Sequence, residues 1–145
     1  MNKIEIQNEV CDKITFREDG IINVSNSVLV DFSKKNSTIN IIISDDEFLR
    51  KLKKDFFDVD AYTDVISFNL EDEGENIDGE IYISWDRIND NADKYKQTAD
   101  SELKRIIIHG ILHLLGYDDQ TKQEKLMMTE LENKYLKINF GVFVV

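Results

Sequence analysis

The chain has 145 residues, of which 41% are hydrophobic and 32% charged, and its formal net charge is −11 at pH 7. This length and composition predict one domain, residues 1–145, whose core needs no disulfides. Cys11 is the only cysteine, which excludes an internal disulfide and a cysteine-based metal cluster. The chain starts without the apolar segment of a secretory signal and has no membrane-length apolar run, so we expect a cytoplasmic protein.

The N-terminal half contains two segments that predict strands and one that predicts a helix. Residues 4–6 alternate weakly and predict an edge strand, whereas residues 38–44 are rich in β-branched side chains and predict a buried strand. Ser44 and Glu47 stand three residues apart in the pattern of a capping box, so we expect a helix to begin there. Its apolar face comprises Phe48, Leu49, Leu52 and Phe56, opposite a lysine-rich face.

The middle of the chain predicts two short strands joined by an acidic loop, followed by a helix. Residues 64–68 and 79–84 have the composition of strands, and we expect the acidic segment between them, residues 69–78, to be an exposed loop. Ser84 is the expected N-cap of the next helix. The apolar positions of that helix are Trp85, Ile88, Ala92 and Tyr95.

The C-terminal third predicts two helices and an apolar tail that docks on the core. Asp100 is expected to cap a helix that runs to about Leu115, and Gly116 fits the position after a helix end. Thr121 and Glu124 form a second capping box. The apolar positions after it are Leu126, Met127, Leu131 and Tyr135. Together the elements predict a mixed α/β fold, with a small, mostly parallel or mixed sheet of about four strands covered by about five helices.

His109 and His113 are the only histidines in the protein. They stand four residues apart in a predicted helix, and a four-residue step of about 400° places both imidazoles on one face, one turn apart. That spacing suits two ligands of one tetrahedral metal ion. Gly116 ends the helix, and three residues later Asp119 offers a carboxylate as a third ligand. The spacing therefore predicts a metal site at the end of this central helix.

The complete pattern is the metal-binding spacing of the metzincins, with Asp119 in place of the third histidine. Carboxylate oxygen is an accepted zinc ligand, and three protein ligands leave a fourth position open for water, which is typical of catalytic zinc. Such an ion lowers the pKa of its water to about 7 and polarises a phosphoryl oxygen. Zinc is the expected ion, although two imidazoles and a carboxylate also suit nickel, cobalt or iron(II).

Three motifs give the chain a resemblance to a known family. TDVISF at residues 63–68 resembles the TDVLSF strand of the YbeY family of endoribonucleases, the rRNA maturation factors. GEIYIS at residues 79–84 resembles the family's GDIxIS strand, with Glu80 for the usual aspartate. HGILHLLGYDD at residues 109–119 resembles the signature HGxLHLxGYDH. The resemblance covers roughly residues 60–136, whereas the first forty residues match weakly.

The resemblance implies a zinc-dependent hydrolase that cuts single-stranded RNA. It also implies a role in small-subunit (16S) rRNA 3′-end maturation and ribosome quality control, with the small ribosomal subunit or its proteins as partners and no membrane. His109 and His113 correspond to metal ligands of the family. Asp119 stands where most members have histidine, which we interpret as substitution of the ligand rather than its loss, with Asp118 as the alternative.

Further side chains are candidates for binding substrate. Many family members carry an arginine, implied to contact the RNA phosphate, where this chain has Phe57. Basic side chains on the preceding helix, above all Lys53 and Lys54, are candidates for that role, although a solvated helix face is the more ordinary interpretation. Arg105 lies one turn before His109 and offers either a cation to phosphate or a surface ion pair of small energy.

Two residues are candidates for supporting the site from outside the ligand set. Asp64 either orients a ligand histidine or hydrogen-bonds a turn. Tyr117 either hydrogen-bonds the substrate or packs behind Gly116, and packing is the more ordinary role for it.

Three functions are open from the sequence. The leading hypothesis is a phosphodiester hydrolase in which His109, His113 and Asp119 are catalytic through the metal. The second is a metallopeptidase-like hydrolase, which Gly110 disfavours because HExxH peptidases place their general-base glutamate at that position. The third is a ribosome-binding factor with a structural metal, which the acidic net charge and Phe57 favour, because phosphate binding depends on placed cations.

Overall fold

The computed structural model of the protein describes residues 1–10, 13–70 and 76–144. These residues form a four-stranded mixed sheet and five helices. The strands are β1 (Lys3–Asn8), β2 (Thr38–Ser44), β3 (Val65–Asn69) and β4 (Asp78–Ser84). The helices are α1 (Glu18–Asp31), α2 (Asp46–Phe57), α3 (Trp85–Tyr95), α4 (Ala99–Leu114) and α5 (Lys122–Leu136). The strand order is β1-β2-β4-β3, with β1, β2 and β4 parallel and β3 antiparallel to β4. The predicted fold class is confirmed.

One face of the sheet packs against α1 and α4, and the isoleucines of β2 and β4 that point inward are fully buried. Helix α4 lies very close to this face because glycines stand at two points of contact. A Cβ atom on Gly110 would lie 2.9 Å from Cγ2 of Ile81, and one on Gly79 would lie 2.7 Å from Cδ1 of Leu114. This close packing fixes the C-terminal half of α4 against β3 and β4.

Two predicted helix starts are wrong by one or two residues. Ser44 is the last residue of β2, and Asp45 caps α2 by accepting a hydrogen bond of 2.9 Å from the Phe48 N–H. Asp100 lies in the first turn of α4, whose N-cap is Thr98. In both places several capping residues stand side by side in the sequence, and the path of the preceding segment decides which one is used.

The capping box of Thr121 and Glu124 is confirmed, as is Ser84 as the N-cap of α3. The apolar tail also docks as predicted. Phe143 is fully buried, and its N–H and that of Val144 donate hydrogen bonds to Asp100, whose carboxylate lies in the first turn of α4.

Three further differences from the sequence predictions concern α1, α5 and the acidic loop. Helix α1 was not assigned from the sequence at all. In α5, the predicted Tyr135 is buried, but Leu126 and Met127 are 59% and 51% exposed, and the other buried residues are Met128 and Glu132. Residues 71–75 of the acidic loop lie outside the described residues, as does Cys11, whereas the ends of the predicted loop belong to β3 and β4. None of the described helices has the length and apolar composition needed to cross a membrane.

Candidate metal centre

The last turns of α4 carry both histidines on one face, as the spacing predicted. His109 and His113 are half-buried, and their Nε2 atoms are 2.9 Å apart. The rings meet edge to face, with centroids 4.5 Å apart. Both ring edges therefore point to the same space beside the helix.

The chain turns back directly after α4 at Gly116, which has a φ of 100°. The Gly116 N–H donates to the carbonyl of His113, and the Tyr117 N–H donates to that of Leu112, both at 3.0 Å. This is a Schellman motif, and its left-handed position favours glycine because the residue lacks a Cβ atom. The turn brings Asp119 back toward the histidines.

Asp119 completes a cluster of three potential metal ligands with His109 and His113, which we call the metal triad. Its Oδ2 lies 3.5 Å from Nε2 of His109, and its Oδ1 lies 3.7 Å from Nε2 of His113. Ligands of a tetrahedral ion with bonds of about 2.0–2.1 Å stand about 3.3 Å apart, so these donors fit one divalent ion. Asp118 is not in the cluster, and its Oδ1 accepts a hydrogen bond of 2.8 Å from the Asp119 N–H.

Glu132 of α5 belongs to the site but was missed by the sequence reasoning. Its side chain is 7% exposed, and its two oxygens lie 2.7 Å from Nδ1 of His109 and 2.7 Å from Nη1 of Arg105. A carboxylate accepts the Nδ1 proton, so in the neutral imidazole the Nε2 lone pair of His109 faces the triad. The available signal was an acidic residue at helical spacing from Met128 and Tyr135, since charged residues are rarely buried unless paired.

The electrostatics around His109 favour its protonated form when no metal is bound. Burial alone would lower the pKa of His109, but the hydrogen bond and the charge of Glu132, with smaller contributions from Asp119 and Asp64, raise it above the ordinary value of 6.5. Two turns earlier on α4, burial raises the pKa of the Glu102 carboxyl. A metal ion held at this site would therefore compete with a proton for His109.

The metal triad lies where two open cavities meet. The first cavity, which we call the β3 arm, has a volume of about 540 Å³ and is bounded by α2, β3 and the end of α4. The second, the α3–α5 arm, has a volume of about 630 Å³ and is bounded by α3, α4 and α5. Three side chains line both arms: Asp64, His109 and Asp119. These shared side chains place the triad at the boundary between the two arms.

Comparison with known proteins identifies the family to which this site belongs. The sequence profile of the endoribonuclease YbeY family matches residues 4–139. The chain belongs to the endoribonuclease YbeY family. Similar members include endoribonuclease YbeY of Flavobacterium psychrophilum, 40% identical over 83% of this chain and 86% of that protein, and that of Christiangramia forsetii, 35% identical over 88% of each. The YbeY match thus also covers the N-terminal forty residues, which the motifs had left weak.

A solved structure agrees with the fold. The solution structure of a Thermotoga maritima protein superposes with a TM-score of 0.63 and 27% identity, covering 94% of this chain and 87% of that one. As a member of the YbeY family, the chain is an endoribonuclease, and its substrate class is RNA.

The residues predicted to bind RNA in this YbeY member fall at different distances from the cleft. Lys53 lines the β3 arm, whereas Lys54 lines neither arm. Arg105 lines the α3–α5 arm, but its guanidinium donates to Glu132 and to Asn133, so its charge is already paired. Among the described residues, neither Lys53 nor Lys125, which lines the α3–α5 arm, has an ion pair.

The two predicted supporting residues differ in position. Asp64 lies beside the triad, where its carboxylate accepts a hydrogen bond of 3.4 Å from Asn91, and no direct hydrogen bond to a triad histidine occurs in the described part of the chain. Tyr117 lines neither arm and packs edge-on against Phe32, with ring centroids 5.5 Å apart. At the position of the family arginine, Phe57 lines the β3 arm.

Proposed function

We propose that the chain is a metal-dependent, single-strand-specific endoribonuclease that takes part in small-subunit (16S) rRNA 3′-end maturation and ribosome quality control. The observation that carries the proposal is the position of the metal triad at the junction of two open arms. Three protein ligands leave the fourth position of a tetrahedral ion to water or substrate, which is typical of catalytic rather than structural sites.

Zinc is the proposed ion, held by His109, His113 and Asp119. When bound, it would supply Lewis-acid polarisation of the scissile phosphate and activation of the attacking water. Glu132 holds His109 in the tautomer that leaves Nε2 free for the metal. The carboxylate of Asp119 lowers the net charge of the site, so we expect weaker Lewis acidity than with three histidines.

The cleft favours unpaired RNA. Each arm has the volume of an ordinary small-molecule pocket, which admits single nucleotides but not a duplex. Unpaired bases also expose the faces and edges that side chains can stack on and hydrogen-bond. Lys53 and Lys125 place in each arm one cation that has no ion pair among the described residues, which supports phosphate binding despite the net charge of −11.

The proposed setting is the cytoplasm, with the small ribosomal subunit or its proteins as partners. An acidic surface is complementary to basic ribosomal proteins, which supports this choice. We also propose that residues 1–145 form one domain, because all three described segments contribute side chains to one hydrophobic core, from Ile4 to Phe143.

Cleavage of a fluorogenic single-stranded RNA by the wild-type protein and by His113→Ala, purified side by side, tests the proposal. We expect zinc-dependent cleavage by the wild-type protein alone, and no cleavage of the same sequence annealed to its complement. Asp119→Asn and Asp118→Asn form a matched pair, since only the first removes a triad carboxylate, and only the first should lose activity.

Equal cleavage by wild type and His113→Ala would identify a contaminating ribonuclease and count against the proposal. If neither protein cleaved free RNA or small-subunit particles, the result would favour a ribosome-binding factor with a structural metal.

A further inference from the structure

The α3–α5 arm extends well beyond the metal triad and carries side chains that suit a nucleotide base. Tyr95 is 58% exposed and lines this arm, and Nζ of Lys94 lies over one face of its ring, 5.2 Å from the centroid. Two side-chain amides, Asn91 and Gln97, line the arm as well, and Gln97 makes no side-chain hydrogen bond among the described residues. Amides and aromatic rings are the groups that proteins use to bind unpaired bases.

The charges in this arm favour a base over a phosphate. Four carboxylates line it, those of Asp64, Glu102, Glu132 and the triad residue Asp119, whereas the cation of Arg105 is paired with Glu132. Carboxylates repel phosphate but accept hydrogen bonds from the amino and imino groups of bases. Lys125 adds a cation without an ion pair among the described residues, which is available to a neighbouring phosphate.

We infer that the α3–α5 arm is a nucleotide subsite, in which a base next to the scissile phosphate stacks on Tyr95 and hydrogen-bonds the amides of Asn91 and Gln97. The RNA strand then crosses the metal triad with one nucleotide in each arm, and Lys53 and Lys125 lie on opposite sides of the cleaved bond. This inference rests on the proposed nuclease function.

The test compares Tyr95→Ala and Gln97→Ala with two control variants, Met127→Ala and Gln123→Ala. All four positions are exposed, so each variant should fold, but Met127 and Gln123 line neither arm. The substrates are one single-stranded oligoribonucleotide, whose cleaved bond is first mapped, and two copies with an abasic nucleotide on either side of that bond. The measured quantity is kcat/KM.

With the wild-type protein, one of the two abasic substrates should be cleaved on the order of 10-fold more slowly, as expected for the loss of one stacked base. Tyr95→Ala should lose a similar factor on the intact substrate and nothing further on that abasic substrate. The control variants should match the wild type on all substrates. The subsite would be overturned if Tyr95→Ala and Gln97→Ala both cleaved the intact substrate at the wild-type rate. It would also be overturned if the loss caused by either substitution were as large on the slowly cleaved abasic substrate as on the intact one.

Binding separates failure of the subsite from failure of the nuclease function. Fluorescence anisotropy with the same labelled oligonucleotide and EDTA-treated protein needs no cleavage. A wild-type protein that cuts no RNA would refute the nuclease function. The subsite would still be supported if Tyr95→Ala bound the oligonucleotide about 10-fold more weakly than Met127→Ala, and overturned if the two bound equally.

Discussion

Replacing Glu132 by glutamine tests whether this buried carboxylate sets the metal affinity of the triad. The carboxylate accepts hydrogen bonds from His109 and Arg105, each at 2.7 Å, and its side chain is only 7% exposed. Glutamine has the same shape but one acceptor oxygen, so either the imidazole or the guanidinium must face an amide N–H group. A hydrogen bond to a charged group contributes about 1.5–3 kcal/mol. That range agrees with the roughly 10- to 100-fold loss of metal affinity seen when partners of ligand histidines are removed.

We therefore expect Glu132→Gln to bind zinc about 10- to 100-fold more weakly than the wild type. The assay is a zinc titration in competition with a chromophoric chelator, and circular dichroism of the metal-free variant checks its fold. Glu130→Gln is the matched control, because it removes the same charge from an exposed position of the same helix. Equal zinc affinities for the wild type and both variants would refute the argument that Glu132 orients His109.

Three further predictions concern the cleft and the triad. Lys53→Gln should weaken RNA binding and make the slope of log K against log salt concentration less steep by about 0.7, the value for one single-strand phosphate contact. Lys54→Gln should change neither the affinity nor the slope. Anisotropy titrations measure both quantities, and equal effects of the two substitutions would show that neither lysine contacts a phosphate. In the metal-free protein, the raised pKa of His109 contributes stability that is complete below pH 6.5 and is lost as pH rises through the raised value. The free energy of unfolding, measured with urea in the presence of a chelator, should show this decline as pH rises. An equally steep decline in Glu132→Gln would contradict the assignment of the raised pKa to Glu132. Asp119→His should retain zinc and shift the acidic limb of the pH profile of cleavage to lower pH. A neutral ligand leaves more positive charge on the ion, which lowers the pKa of its bound water. An unchanged acidic limb would show that this limb does not report the ionisation of metal-bound water.

The arrangement of the metal triad was predictable because it is a local property of the chain. The four-residue step between His109 and His113 fixes their common face wherever the helix lies. Gly116 marks the end of that helix, since its left-handed conformation favours glycine. Asp119 follows Gly116 by only three positions, so the chain has little freedom to place this carboxylate elsewhere.

Glu132 was not predictable in the same way because its role depends on how two helices pack. It stands 23 residues after His109, on a separate helix, and no local pattern specifies that pairing. Helix α1 shows a second limit. Its buried residues include Ile21, Val24 and Val28 at helical spacing, but β-branched residues have modest helix propensity. Packing against α4 and the sheet stabilises this helix. Such tertiary contacts cannot be read from the local sequence pattern.

Gly110 separates this site from HExxH peptidases for a reason of packing. It lies about 100° further round α4 than His109 and faces the sheet rather than the triad. A Cβ atom there would lie 2.9 Å from Cγ2 of Ile81 and 3.3 Å from Oγ of Ser67. Ile81 is fully buried, and its β-branched side chain has little rotational freedom to move aside.

The same geometry gives a stability prediction. Overpacking costs about 1–3 kcal/mol, and the better helix propensity of alanine offsets about 1 kcal/mol, so Gly110→Ala should lose about 1 kcal/mol and roughly 3 °C in Tm. Gly110→Glu would press a charged carboxylate against Ile81 and Ser67, and we expect it not to fold. Thermal unfolding checks both variants, and a stable Gly110→Glu with peptidase activity would contradict the argument. The close contact at Gly110 holds α4 against the sheet and so positions His109 at the cleft. The same contact leaves no room for the general-base glutamate that HExxH peptidases carry at this position.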